Sequence, residues 1–215
     1  MKIYIVRHGE TDLNKQGART GWGDVPLNDN GRKLAVLTGQ EMKRMGLHFD
    51  GCFSSSLGRA VETAEILLRE SGNEGVPIVI DDRLKEINFG ELEGTGGVDD
   101  EKNRRFAIEF GKNPFGVERF PGGECVEDVM QRTQEFLKEL LARDDGKTYL
   151  IAAHGCALRA MLNFLYEDPG NYWHGHVPYN CCVNIVEGHG GEGRLVGDDL
   201  IYYDPKYVVD LYKHD

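Results

Sequence analysis

Two apolar runs, each leading into a histidine followed by a glycine, constrain the fold of this chain more than any other feature. One residue, Arg7, separates the run at residues 3–6 from His8, and the run at residues 149–153 ends directly before His154. Short apolar runs of this kind are typical of the buried strands of a parallel sheet. Ligands of open α/β sheets bind beyond the carboxyl ends of the strands. We therefore predict that His8 and His154 emerge at one edge of a sheet and share a site.

Composition and charge exclude several classes of protein. The chain has 215 residues, is 40% hydrophobic and carries a formal net charge of −11. We expect one domain spanning residues 1–215 at this length. The negative charge disfavours nucleic-acid binding, which requires clustered lysine and arginine. We therefore expect no nucleic acid as a partner. No apolar run approaches the length of a membrane span, so we expect no membrane as a partner either.

The start of the chain and its cysteines predict a compartment. Residues 1–3 lead directly into the first predicted strand, so no signal peptide is expected. The five cysteines form no metal-type pair, which favours reduced thiols. A cytoplasmic location follows as a prediction.

Further motifs follow the first His-Gly in a fixed order along the chain. They are Arg7-His8-Gly9-Glu10-Thr11 with Asn14, Thr20-Gly21-Trp22, Pro26-Leu27-Asn28 with Gly31, Ser54-Ser55-Ser56-Leu57 with Arg59 and Thr63, Leu84 with Glu86 and Phe89-Gly90, Pro121-Gly122-Gly123-Glu124, and His154-Gly155. This ordered set resembles the histidine phosphatase superfamily, also called the phosphoglycerate mutase-like family. A lone Arg-His-Gly would be weak evidence, whereas the ordered set is specific and extends over residues 1–187.

The resemblance implies an α/β fold, a three-layer sandwich with a mostly parallel central sheet flanked by helices. Hydrophobic periodicity and apolar runs agree with it. We expect the serines at residues 54–56 to cap a helix that begins near residue 57. The other predicted helices span residues 28–45, 126–143 and 157–166, and the other predicted strands span residues 51–53, 76–80, 182–186 and 195–203.

Two arginines are the predicted anion ligands. Arg7 directly follows the first strand, and Arg59 lies near the first turn of a predicted helix. The helix dipole disfavours a cation at that end, so an anion bound there would explain Arg59; the alternative is a solvated helix residue. A planar guanidinium pairs with two oxygens at once. Both arginines are also expected to keep His8 neutral, because like charges disfavour the imidazolium.

The resemblance also assigns catalytic roles. His8 attacks phosphorus and forms a phosphohistidine, while Glu86, at the family's acid/base position, protonates the leaving alcohol and later takes a proton from water. Arg7, Arg59 and His154 stabilise the charge on the transferred phosphoryl oxygens. Further ligands of the substrate phosphate are expected at Asn14, Thr20, Gly21 and Gly155. For the loop residues among them, the alternative is that they only satisfy the backbone of their own turn.

No metal or other cofactor is expected. The arginines supply the positive charge that a metal would otherwise provide. His174 and His176 are spaced as a ligand pair, but two side chains are too few to hold an ion.

The segment from residue 91 to residue 123 has weak periodicity, frequent glycine and several aromatic and cationic side chains. The resemblance implies that this region covers the site and differs among substrates. We expect its aromatic faces to contact the leaving group and an arginine to meet a second anion; alternatively, the phenylalanines only anchor the segment to the core. The residues concerned are Phe106, Phe110, Phe115 and Phe120, with Arg104, Arg105 and Arg119.

Three functions are open on the sequence. The first is a metal-independent phosphomonoesterase acting on a small phosphorylated metabolite, because residues 87–94 resemble the phosphatase branch and lack the longer Tyr- and Gly-containing segment of the mutases. The second is a cofactor-dependent phosphoglycerate mutase, from which Leu13 departs because mutases usually have Trp there. The third is a non-catalytic phosphate-recognition module. The expected partner is a small phosphate ester, and a homodimer is left open.

Overall fold

A six-stranded sheet forms the centre of the molecule. The computed structural model describes residues 1–95 and 108–208. The strands are β1 (Lys2–Arg7), β2 (Gly51–Ser54), β3 (Ile78–Ile80), β4 (Thr148–Ala153), β5 (Val183–His189) and β6 (Glu192–Leu200). Their order across the sheet is β3-β2-β4-β1-β5-β6. The first four in that order are parallel, whereas β5 and β6 run antiparallel to their neighbours, which confirms the mostly parallel sheet.

The register of the two central strands determines where the site lies. Arg7, the last residue of β1, pairs with Ala153, the last residue of β4. The residues that follow, His8 and His154, therefore leave the sheet side by side. This juxtaposition comes directly from the parallel pairing, because both strands end at the same edge.

Helices cover both faces of the sheet, as the sequence predicts. They are α1 (Asp12–Lys15), α2 (Asp29–Arg44), α3 (Gly58–Ser71), α4 (Val126–Leu141) and α5 (Gly155–Leu162). Ile3 and Ile5 of β1 pack in one core cluster with α4 and α5, whereas Tyr4 and Val6 pack in another with α2 and α3. Alternate residues of one strand thus contact opposite layers, which produces the three-layer sandwich. Within the described residues, no helix is both long and apolar enough to cross a bilayer.

The helix termini agree only in part with the expectation. Asn28 caps α2 by accepting a hydrogen bond from the Gly31 amide at 2.8 Å. The predicted serine cap of α3 is wrong, because Leu57 occupies the cap position and its side chain makes no capping hydrogen bond, while the amide of Gly58 donates to Asp24 at 2.9 Å. Ser55 instead accepts from the Leu57 amide at 3.3 Å and also contacts His154. That serine has a role in the site rather than in the helix.

A buried ion pair connects α5 to the edge strand β6. The side chain of Arg159 is fully buried and pairs with both Asp198, at 3.1 Å, and Asp199. It also donates to the hydroxyl of Tyr166 and to the carbonyl of His176. Several acceptors thus bind the two terminal nitrogens of the buried guanidinium, whereas its Nε has no hydrogen-bond partner among the described residues, and the buried Asp199 pairs with this arginine.

Removal of Arg159 should destabilise the fold strongly. Arg159→Met leaves Asp199 buried without its cation, and loss of one partner of a buried pair lowers the free energy of unfolding by about 3–5 kcal/mol. Arg194→Met is the control, because Arg194 pairs with Glu187 at 3.0 Å on the surface and such pairs contribute about 0–1 kcal/mol. Urea unfolding of both variants measures the difference; equal losses would contradict the analysis.

Candidate active site

His8 and His154 lie against each other beyond the ends of β1 and β4. Their ring centroids are 5.0 Å apart with an interplanar angle of 58°. Both are buried, with 2% and 0% of their surface exposed. The amide of His8 donates to the carbonyl of Ala153 at 2.9 Å, which continues the strand pairing by one residue.

The contacts of His8 favour a neutral imidazole whose Nε2 is unprotonated. Its Nδ1 lies 2.6 Å from the carbonyl oxygen of Gly9, an acceptor only, so Nδ1 holds the proton. Arg59 donates from Nε to His8 Nε2 at 3.3 Å. Burial, then the charges of Arg59 and Arg7, lower the pKa of His8 well below its usual value, and the bond to Gly9 opposes them only in part. His8 is thus suited to be a nucleophile.

The loop at residues 20–23 holds the guanidinium of Arg59. Arg59 is fully buried in the first turn of α3 and donates to the carbonyls of Gly23 at 2.9 Å, Gly21 at 2.6 Å and Thr20 at 3.4 Å. Burial lowers its pKa to about 10, which still leaves it charged at neutral pH. The chain therefore places a cation directly beside the reactive nitrogen of His8.

Arg7 lies over the start of α5. Its guanidinium donates to the carbonyl of Pro178, and its Nε is buried with no hydrogen-bond partner among the described residues. A Cβ added at Gly155 would lie 3.3 Å from Val177, which is a tight contact, and 3.4 Å from Arg7 Nε, which is ordinary van der Waals distance. The glycine at position 155 thus allows Arg7 and Val177 to pack against the start of α5.

His154 is oriented by a serine. Its Nε2 lies 2.8 Å from Ser55 Oγ, while its Nδ1 is buried without a hydrogen-bond partner in the part of the chain that the structure describes. Burial, then the charges of Arg59 and of His8, lower the pKa of His154 well below its usual value. Sequence reasoning did not assign Ser55 to the site; the signal for it was the run of three serines after β2.

Glu86 binds the first amides of α5. Its Oε1 accepts from the amides of Ile87 and Ala157, both at 2.9 Å, and its Oε2 accepts from the amide of Cys156 at 3.1 Å. Burial raises the pKa of Glu86, although these amides and the charge of Arg59 act in the opposite direction. A carboxyl group with a raised pKa beside a buried cation is suited to general acid catalysis.

Arg132 of α4 fixes the segment that bears Glu86. It donates to the carbonyls of Arg83 at 2.8 Å, Lys85 at 2.6 Å and Glu86 at 2.9 Å. Glu124 pairs with Arg132 through two bonds of 2.9 Å and accepts from the Asn88 amide. Sequence reasoning did not identify Arg132, although the Pro-Gly-Gly-Glu motif that contains Glu124 was visible.

Asn14 and Thr20 both present hydrogen-bonding groups in the loop after β1. Asn14 Oδ1 accepts from the Thr11 amide at 3.2 Å and from Asn180 Nδ2 at 3.3 Å, which leaves its own Nδ2 to donate. The hydroxyl of Thr20 is buried, with no hydrogen-bond partner among the described residues. Both therefore have hydrogen-bonding capacity left, and their role as phosphate ligands stays a prediction.

Gly21 differs from the expectation for a phosphate ligand. Its amide donates to Glu93 Oε2 at 2.9 Å, and the neighbouring amide of Trp22 donates to Glu93 Oε1 at 2.8 Å. The carbonyl of Gly21, rather than its amide, connects it to the site through Arg59. Nothing in the sequence signals this contact of Glu93 with the backbone of residues 21 and 22.

The described part of the 91–123 segment forms an aromatic cluster. Phe110 and Phe120 are buried and meet Phe89 edge to face, with ring centroids 5.9 and 4.9 Å away. Phe115 meets Tyr172 edge to face at 5.4 Å. These contacts favour anchoring to the core over contact with a leaving group.

Of the three arginines predicted to matter in that segment, only Arg119 lies within the described residues. Arg119 pairs with Asp128. Phe106, Arg104 and Arg105 lie outside the described residues, so the expectation that this segment covers the site stays a prediction.

The assembled groups fit a phosphoryl oxyanion. Arg7 Nε and His154 Nδ1 are buried without a hydrogen-bond partner among the described residues, and the guanidinium of Arg59 lies beside the imidazole of His8. Fixed donors in a water-poor site stabilise the charge that develops on the equatorial oxygens of phosphorus. Among residues 1–95 and 108–208, no three His, Cys, Asp or Glu side chains come together in a group that could hold a metal ion.

Curated relatives and solved structures agree on one family. The chain is 31% identical over 238 residues to a 2,3-bisphosphoglycerate-dependent phosphoglycerate mutase of Lachnoclostridium phytofermentans, which covers 97% of this chain and 94% of the mutase. It superposes on YhfR of Bacillus stearothermophilus with a TM-score of 0.79 and 32% identity, over 92% and 96% of the two chains.

A phosphatase is also among the similar structures. A mycobacterial glucosyl-3-phosphoglycerate phosphatase in complex with VO3 gives a TM-score of 0.72 at 25% identity, over 90% of this chain and 96% of that one. The model of the histidine phosphatase superfamily, branch 1, matches residues 3–198. With its paired histidines and buried arginines at the ends of β1 and β4, the chain belongs to the histidine phosphatase superfamily.

Proposed function

We propose that the protein is a metal-independent phosphomonoesterase that hydrolyses a small phosphorylated metabolite through a phosphohistidine intermediate. One observation supports this most directly. The neutral His8, whose Nε2 accepts from Arg59 at 3.3 Å, lies in a buried site that also contains the protonatable Glu86. Nucleophile, anion ligand and acid are therefore all present. A cytoplasmic location and a homodimer stay predictions from the sequence.

The first half of the reaction uses the nucleophile and the acid. His8 Nε2 attacks phosphorus while the bond from phosphorus to the ester oxygen breaks. Glu86 gives its proton to that oxygen, so the alcohol leaves neutral. Arg7 and Arg59 hold the phosphoryl oxygens through the transition state, where negative charge is spread over three of them.

The second half reverses the role of Glu86. The carboxylate takes a proton from water as the water oxygen attacks phosphorus. The bond from phosphorus to His8 Nε2 breaks, and inorganic phosphate and the neutral imidazole are released. A single group serves first as acid and then as base, which its raised pKa permits.

Phosphoglycerate mutase is the alternative, because the curated relatives with 30–35% identity carry that name. The length of the alignment favours a phosphatase. It spans 238 residues, more than the 215 of this chain, so the mutase contains residues with no counterpart here. A recognition module without catalysis is disfavoured by the presence of both His8 and Glu86. Conversion of 3-phosphoglycerate with and without 2,3-bisphosphoglycerate separates mutase from hydrolase.

Loss of the nucleophile should abolish the intermediate. His8→Ala should form no acid-labile, base-stable phosphoenzyme and should lose hydrolysis of p-nitrophenyl phosphate, because no other described imidazole has Arg59 at its Nε2. The control is His48→Ala, since His48 is exposed. Phosphoenzyme trapping with a labelled substrate measures both. Equal turnover by wild type and His8→Ala would refute the assignment.

Glu86 should determine the pH dependence. Protonated Glu86 is the acid of the first half-reaction and burial raises its pKa, so kcat/KM, which reports that half, should fall as pH rises through the pKa of Glu86. The pKa of His8 is lowered, so attack should persist below its ordinary value of about 6.5. The optimum is therefore acidic, and Glu86→Gln should remove the fall at high pH.

The leaving group provides the control for Glu86. In the first half-reaction an alkyl phosphate needs the proton, so Glu86→Gln should lower its kcat/KM by about 10²–10⁴-fold, the usual size of acid catalysis. The p-nitrophenolate of p-nitrophenyl phosphate leaves without protonation. The kcat/KM for this ester should therefore fall much less. Equal losses on both esters would show that Glu86 is not the acid.

Catalysis should not need a metal. The cations around His8 are arginines, and guanidinium groups neutralise phosphoryl charge without an ion. Hydrolysis of p-nitrophenyl phosphate should therefore survive dialysis against excess EDTA. Loss of activity that an added divalent metal restores would contradict the mechanism.

A further inference from the structure

The carboxylate of Glu93 occupies a group of backbone donors next to the predicted phosphoryl site. Its Oε2 accepts from the amide of Gly21 at 2.9 Å, and its Oε1 accepts from the amides of Trp22 at 2.8 Å and Phe89 at 3.2 Å. Converging backbone N–H groups of this kind form anion-binding sites in proteins. Here the anion belongs to the chain itself.

One peptide unit joins this anion site to Arg59. The peptide between Gly21 and Trp22 gives its carbonyl to Arg59 Nη2 at 2.6 Å and its N–H to Glu93 at 2.8 Å. Arg59 in turn donates to His8 Nε2 at 3.3 Å. The carboxylate is therefore one peptide unit away from the guanidinium that contacts the nucleophile.

The surrounding backbone holds Glu93 in this position. The amide of Gly94 donates to the carbonyl of Arg19 at 3.0 Å, and the amide of Arg19 donates to the carbonyl of Thr95 at 2.9 Å. A Cβ added at Gly21 would lie 2.1 Å from Glu93 Oε1. The two segments are paired and closely packed, so the carboxylate is a fixed part of the site.

We propose that Glu93 is a specificity-determining residue. Its carboxylate takes the donors that a second anionic group of a substrate would otherwise use, and its charge repels such a group. The enzyme therefore selects phosphate esters that carry no further anion close to the phosphate. This inference rests on the proposed phosphatase function, and it deepens that function by naming a substrate class. Discrimination by a built-in repulsive charge is a general route to specificity.

A matched pair of esters tests the proposal. Glycerol 3-phosphate and 3-phosphoglycerate differ in having an alcohol or a carboxylate at the far carbon. Wild type should have the higher kcat/KM on glycerol 3-phosphate. Glu93→Gln and Glu93→Ala should move the ratio toward 3-phosphoglycerate by about ten- to a hundredfold, the size expected for hydrogen bonds to a charged group. General loosening of Arg59 lowers both rates and leaves the ratio unchanged.

Glu91→Gln is the control variant. Glu91 lies two residues away with an exposed side chain, so its loss removes the same charge without freeing the three amides. The ratio of kcat/KM should stay at the wild-type value in this variant. An equal shift in Glu91→Gln and Glu93→Gln would overturn the proposal, because it would mean that only net charge matters. An unchanged ratio in both Glu93 variants would also overturn it.

Binding measurements separate this inference from the proposed function. Titration calorimetry in a His8→Ala background, which should not turn the esters over, gives the dissociation constants of both esters with and without Glu93→Gln. If neither ester is hydrolysed but the ratio of dissociation constants shifts as stated, the phosphatase function fails and the role of Glu93 stands. If both esters are hydrolysed and neither the kinetic nor the binding ratio moves, the function stands and the role of Glu93 fails.

Discussion

The contact between the guanidinium of Arg59 and the imidazole of His8 is the interaction on which the rest of the site depends. Together with burial, which is the larger cause, it lowers the pKa of His8, and it places positive charge beside the nitrogen that would attack phosphorus. A buried charge is unfavourable unless it is hydrogen-bonded. The carbonyls of residues 20–23 supply those bonds, so the long irregular loop after β1 has a physical purpose: it folds back over α3 and solvates the arginine.

Glu86 and Arg59 are both buried, and each is hydrogen-bonded to backbone groups of the opposite polarity. Arg59 is surrounded by carbonyl oxygens, whereas Glu86 is surrounded by the amides at the start of α5. For Glu86, burial outweighs those amides, so its pKa rises and a proton is available for transfer. Arg132 fixes the backbone on the other side. The strand ends position the reacting groups, and these networks of donors and acceptors determine their protonation.

The sequence predicted the parts of the molecule that carry a local signal. The two apolar runs that lead into His-Gly predicted that His8 and His154 share one sheet edge, and the parallel pairing of β1 with β4 confirms this. Helices with a clear apolar face, such as α4, were predicted to within two residues. Arg132 and Ser55 were missed, because their bonds join segments more than forty residues apart and leave no periodic trace. Nor does anything nearby in the sequence distinguish the paired Glu93 from the exposed Glu91.

Sequence identity to named relatives does not decide between phosphatase and mutase activity in this family. A mutase and a phosphatase both need the nucleophile, the arginines and the acid, so those residues are uninformative about the leaving group. Discrimination has to come from groups that meet the rest of the substrate. Among the described residues, Glu93 is a charged group that fills backbone donors one peptide away from Arg59. The backbone donors beside Arg59 are already bound to the carboxylate of Glu93. The site is therefore better suited to an ester with one anionic group than to a bisphosphate.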